Sequence, residues 1–136
     1  MSLHNVKKSL ERHLSTLVPN IDTAYEGDSY TPVSGTPYQR IQIVPRRVEN
    51  PVFGSEYYRM IGEFQVFLAY PLNRGTGDVL TQAERVRNHF KRGTSFLENN
   101  TRVHILSTPE ILSAIVTQDR IVVPVMIEYT AEVNEV

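Results

Sequence analysis

A chain of 136 residues, 40% hydrophobic and 21% charged, is long enough for one domain with its own core and too apolar for wholesale disorder. Its formal net charge of -1 provides no field to gather nucleic acid or an anionic membrane, and the absence of cysteine excludes disulfides, thiolate nucleophiles and cysteine-based zinc sites. The first residues lack the basic start and apolar run of a cleaved signal, and the longest apolar stretches are too short to span a bilayer. The expectation is a soluble protein that is not exported through such a signal.

Val6, Leu10, Leu14 and Leu17 recur at helical spacing, with Lys7, Lys8, Glu11 and Arg12 on the other face. A first helix is therefore expected, capped by Ser2 or Asn5 and stopped at Pro19. Residues Asn20 to Pro37 are rich in turn formers and read as a connector, with Thr23-Ala24-Tyr25 its only strand-like piece. A loop this long inside a small domain is often functional.

Tyr38 to Val48 reads as a strand, and Pro45 places at least its end at a sheet edge or bulge. A turn at Asn50 to Ser55 leads to a long strand from Tyr57 to Tyr70. Tyr58, Met60, Phe64, Val66, Leu68 and Tyr70 occupy one of its faces; Arg59, Glu63, Gln65, Phe67 and Ala69 occupy the other. After a loop from Pro71 to Gly77, Val79, Ala83, Val86 and Phe90 mark a second helix, running to Lys91 and closed by Gly93. Three further strands are expected at Thr101 to Leu106, Glu110 to Val116 and Arg120 to Val133. A tight turn at Gln118-Asp119 joins the last two, and Pro124 points to an edge or bulge. The order α-β-β-α-β-β-β is α+β: a mostly antiparallel or mixed sheet with two main helices packed on one face, in a single domain over residues 1–136.

No constellation in the sequence carries recognisable chemistry. His4, His13, His89 and His104 lack metal-ligand spacing, and no serine sits in a nucleophile-elbow frame. The carboxylates are scattered. Gly75-Thr76-Gly77 before a helix invites a nucleotide-binding enzyme reading, but no P-loop lysine is present and Asp78 sits where an anion would bind. A turn feeding a helix accounts for the same residues. Arg85, Arg87, Lys91 and Arg92 make the second helix basic, a pattern that the helix dipole alone favours. Nucleic acid contact is expected at most through a pore-lining patch. Tyr30, Tyr38, Phe53, Tyr57 and Tyr58 flank the loops around the first long strands, as suits a protein–protein interface. No catalytic residue, cofactor or metal is assigned.

Read together, Ile21 to Glu26, Pro37-Tyr38, the Ile41 to Pro45 strand, Gly62 to Val66 leading to Tyr70-Pro71, the Gly75-Thr76-Gly77 turn before a helix with Ala83 and Phe90, and Val122 to Tyr129 resemble the tail-terminator family of tailed bacteriophages. The likeness covers roughly residues 21 to 131; Thr94 to Asn100 has no counterpart in it. The resemblance implies a non-enzymatic virion protein of the tail, assembled in the host cytoplasm. It implies a homo-oligomeric ring, a hexamer by family, that caps the tail tube protein and later meets the head connector protein. A head–tail connector or minor capsid protein is the alternative within the same class. The loops at Asn20 to Pro37 and Val48 to Tyr57 are expected to make the contacts, with Arg46, Arg47, Phe53, Tyr57 and Arg74 as the individual interface residues.

Overall fold

The computed structural model describes residues 2–51, 57–72 and 75–134. Helix α1 (Ser2–Ser15) forms where the heptad-like apolar spacing predicts, and Val6, Leu10 and Leu14 on one face are fully buried. It tightens into i→i−3 bonds at its end, Thr16 to His13 and Leu17 to Leu14, both 3.1 Å. Asn5 is not its cap. That side chain lies inside the helix, buried, and accepts a bond from the Asn99 amide.

A three-residue strand β1 (Asp22–Ala24) then pairs in parallel with the start of β2 (Tyr38–Glu49). It lies one residue ahead of the piece expected from the sequence. β2 runs antiparallel to β3 (Tyr57–Pro71), with a register shift between Pro45 and Arg47. The bulge and edge position expected from Pro45 are both present, because β1 covers only residues 38–40. Helix α2 (Gly77–His89) buries Val79, Gln82, Ala83 and Val86, and Phe90 follows at its C-cap. Gly75 adopts φ +66, so the glycine-rich segment ahead of α2 is a turn that needs a residue without a Cβ.

The remaining strands are β4 (Ser95–Glu98), β5 (Thr101–Ile105), β6 (Glu110–Ile111), β7 (Ile115–Val116) and β8 (Arg120–Asn134). The sheet order is β1-β2-β3-β8-β5-β4, and β6 and β7 also pair with β8. The architecture is α+β with a mostly antiparallel, mixed sheet, as expected, but two details differ from the sequence reading. β4 falls in the segment with no predicted element. The strand expected at Glu110 to Val116 is split in two.

Pro124 explains the split. It lies opposite Phe67 in the central strand β8, not at an edge. In an antiparallel strand the N–H and C=O of a residue point to the same side. The Pro124 carbonyl accepts the Leu112 N–H at 2.9 Å, so its missing N–H faces the same neighbour. The ladder fails there, and residues 112–114 separate β6 from β7. β5, β6 and β7 thus follow one another along a single side of β8.

The core lies between the helices and one sheet face. Phe64, Val66 and Leu68 from β3, Val123, Val125, Ile127 and Tyr129 from β8, and Val103 and Ile105 from β5 meet the apolar stripes of both helices. Alternation along β3 assigns these faces as predicted. Gly62 stands opposite Tyr129, whose ring covers the space a side chain would take.

Candidate interaction site

Two margins of the sheet, the β2 edge and the β6–β7 edge, are built from opposite chemistry. Beyond β1, the β2 margin is blunted. The Ile43 N–H points outward and donates to the Glu26 carboxylate at 3.2 Å, and Pro45, two residues on, has no N–H to offer. Arg46 and Arg47 follow at the bulge. Arg46 reaches Glu63 at 3.2 Å; Arg47 reaches Glu49 at 3.4 Å, and Arg59 shares Glu49 at 3.6 Å. These pairs are half-exposed, so each adds little stability. A chain of amides extends the network over the face away from the helices: Gln42 donates to Gln65 at 2.6 Å and Gln65 to Glu63 at 2.7 Å. Beside the arginines lies an apolar groove of about 250 Å³, lined by Leu3, Pro45, Val48, Met60 and Ile61 with Arg46 and Arg47 at its rim.

The β6–β7 margin has no such protection. Leu106 between β5 and β6, Leu112 between β6 and β7, and Ile115 and Val116 within β7 are large apolar side chains left open to solvent. Glu110 is the only charged residue between Leu106 and Gln118. An exposed apolar margin of this kind marks a contact surface more often than an isolated surface leucine does.

Arg120 organises one end of the molecule, and the sequence reading missed it. The side chain is buried at the start of β8, donates from Nη1 to the Thr36 carbonyl and from Nη2 to the Val33 carbonyl at 2.8 Å, and lies 5.1 Å over the Tyr38 ring. It therefore pins the long connector to the sheet. An arginine opening the apolar run Ile121 to Ile127 was the available signal.

His13 and His89 join the helix ends. Their rings stack at 4.0 Å with 11° between planes, and Nε2 of each donates to the main-chain carbonyl of the other at 2.7 and 2.6 Å. A carbonyl only accepts, so both Nε2 atoms carry hydrogen. Burial lowers the pKa of His13 from its ordinary value, the bond to the His89 carbonyl opposes this, and the charge of His89 adds to the lowering. These are satisfied structural histidines. Among the described residues, no group of three or more histidine, aspartate and glutamate side chains is arranged to hold a metal ion.

Of the interface residues expected from sequence, Arg46 and Arg47 share the β2 groove. Tyr57 lies elsewhere, in a groove of about 430 Å³ with Leu97, Asn100, Arg102, Glu132 and Asn134. Phe53 and Arg74 fall outside the described residues, as does half of the Val48 to Tyr57 loop, residues 52–56. Arg85 donates to Gln82 at 3.1 Å, while Lys91 and Arg92 are exposed just beyond α2.

The fold and its margins define a small α+β protein whose distinctive surfaces are sheet edges and a pinned loop. The family model of the phage tail terminator protein matches residues 5–129, and the chain belongs to that family. It is thus a structural protein of the phage tail. One solved structure, 18% identical, matches over 96% of each chain with a TM-score of 0.77, which extends the likeness in fold to nearly the whole length. No curated protein sequence matches the chain. Among the described residues, no helix is long and apolar enough to cross a membrane.

Proposed function

We propose that this protein terminates the tail tube. Copies of the chain assemble as a ring, hexameric by family resemblance, on the head-proximal end of the completed tube. The ring stops further addition of the tail tube protein and offers its other side to the head connector protein. Assembly takes place in the host cytoplasm. The observation that carries this reading is the family match, which spans 125 of the 136 residues (5–129). The two unlike sheet margins support it, because a ring needs heterologous contacts between different surfaces of one chain. Near-neutral charge also keeps repulsion between copies low. Any contact with DNA in the lumen would fall to exposed cations such as Lys91 and Arg92.

Polymerising tail tube subunits with increasing amounts of the purified protein tests the role. A terminator binds ends, so it shortens tubes at amounts far below those of the tube subunit. Unchanged tube length at saturating protein would refute the capping role.

A further inference from the structure

We infer that one copy of the chain seats its β6–β7 apolar margin, centred on Ile115 and Leu112, in the β2 groove formed by Leu3, Pro45 and Val48 of the next copy. This rests on the ring reading above and names the contact that would build it. Both surfaces are open: Val48 is 58% exposed on the groove side, and Leu106, Ile115 and Val116 are 60%, 53% and 67% exposed on the other. They are apolar and lie on opposite margins of the sheet, separated by β3 and β8.

Charge favours the same pairing. The groove rim carries Arg46 and Arg47, whose guanidinium groups are more exposed than the Glu63 and Glu49 carboxylates they pair with, so the rim presents cations outward. The opposing margin brings Glu110 and no cation between Leu106 and Gln118. A second copy is therefore the occupant that fits, since the chain itself carries both halves of the contact. The contact is heterologous, so each copy keeps one unused half and can extend the assembly. Standard interfaces bury roughly 800 Å² per partner. The four apolar side chains form the centre of such an area, and the neighbouring loops complete it.

The absence of cysteine makes the test direct. Val48→Cys and Ile115→Cys are prepared as separate variants, mixed, and treated with a short bis-maleimide. Within one chain the two positions lie nine residues apart along β8, through Val48–Met60–Ala131 and Ile115–Val122, or about 30 Å. The reagent therefore cannot bridge them inside a copy. The expected result is a cross-linked mixed dimer, none from either variant alone, and a ladder of multimers from the double variant. Glu110→Arg should slow mixed cross-linking about ten-fold, one decade in association, and Arg47→Glu on the partner should restore it. Mixed cross-linking no faster than that of Val48→Cys with Leu97→Cys, or equal cross-linking of each single variant with itself, would overturn the contact. A ladder from protein that does not shorten tubes would keep the contact and remove the capping role. Tube shortening without mixed cross-linking would do the reverse.

Discussion

Replacing Gly62 with alanine asks whether the Tyr129 ring is as tightly seated as the sheet register implies. A Cβ at Gly62 would lie 2.5 Å from the Tyr129 hydroxyl oxygen, 2.7 Å from its Cζ and 2.7 Å from the Val44 carbonyl oxygen. A flexible surface side chain would move aside at little cost. Tyr129 is only 1% exposed and belongs to the core, and the Val44 carbonyl is backbone of the β2–β3 ladder. Overpacking a core costs about 1–3 kcal/mol, and two rigid obstacles place this change near about 3 kcal/mol. With an unfolding entropy of about 2.1 cal/mol/K per residue over 136 residues, the midpoint should fall by about 10 °C. Thermal melts by circular dichroism and urea titrations measure this directly. Tyr129→Phe separates the two obstacles. The hydroxyl is buried without a hydrogen-bond partner among the described residues, and burial pushes its pKa up to about 12. Its removal alone should leave stability unchanged or higher. Combined with Gly62→Ala, it should recover about 1 kcal/mol of the loss, since Cζ and the Val44 carbonyl still obstruct. A Gly62→Ala protein melting within about 2 °C of the unaltered chain would refute the reasoning.

Arg120→Met should release the connector: the loss of two charge-assisted bonds to Val33 and Thr36 costs about 2 kcal/mol, and limited proteolysis should then cut within residues 25–36 far faster while the sheet stays intact. Arg120→Lys should fall between, because an ammonium cannot reproduce the forked donation. The His13–His89 pair predicts a pH dependence with a definite sign. The unfolded chain takes up a proton near the ordinary histidine value of 6.5 while folded His13 resists it, so its contribution is full above that pH and is lost as pH falls from there through the lower pKa of the folded state. Melts across this window should show the decline, and His13→Gln should flatten it.

Local patterns made most of the layers legible in advance. Val6, Leu10 and Leu14 announced α1, and alternation from Tyr58 to Tyr70 assigned the two faces of β3, because burial repeats at the period of the element. Features set by distant parts of the chain were not legible. The break between β6 and β7 arises from a proline in the strand beside them. β4 is four residues with serine and glutamate at its ends, and only its pairing with β5 makes it a strand. Arg120 meets carbonyls 84 and 87 positions away, and His13 meets His89 across 76. Arg46 and Arg47 were visible as a basic pair, yet nothing local indicated that Glu63 and Glu49 would hold them beside an apolar groove.

The different treatment of the two margins bears on what kind of assembly the chain can make. Free strand edges tend to add further strands, and an edge open on both sides of a sheet invites endless growth. On β2 that route is closed, since Glu26 occupies the outward Ile43 N–H and Pro45 has none. A neighbour meeting this margin must pack side chains into the groove instead of extending the ladder. Side-chain packing fixes the angle between copies far more narrowly than a run of interchangeable backbone bonds, and a fixed angle is what allows heterologous contacts to close. In the proposed contact, the blunted margin therefore does more than prevent aggregation. It leaves the bulged surface of Pro45 to Val48 as the means of joining, and the angle set there decides whether repeating the contact closes into a ring or runs on as a filament.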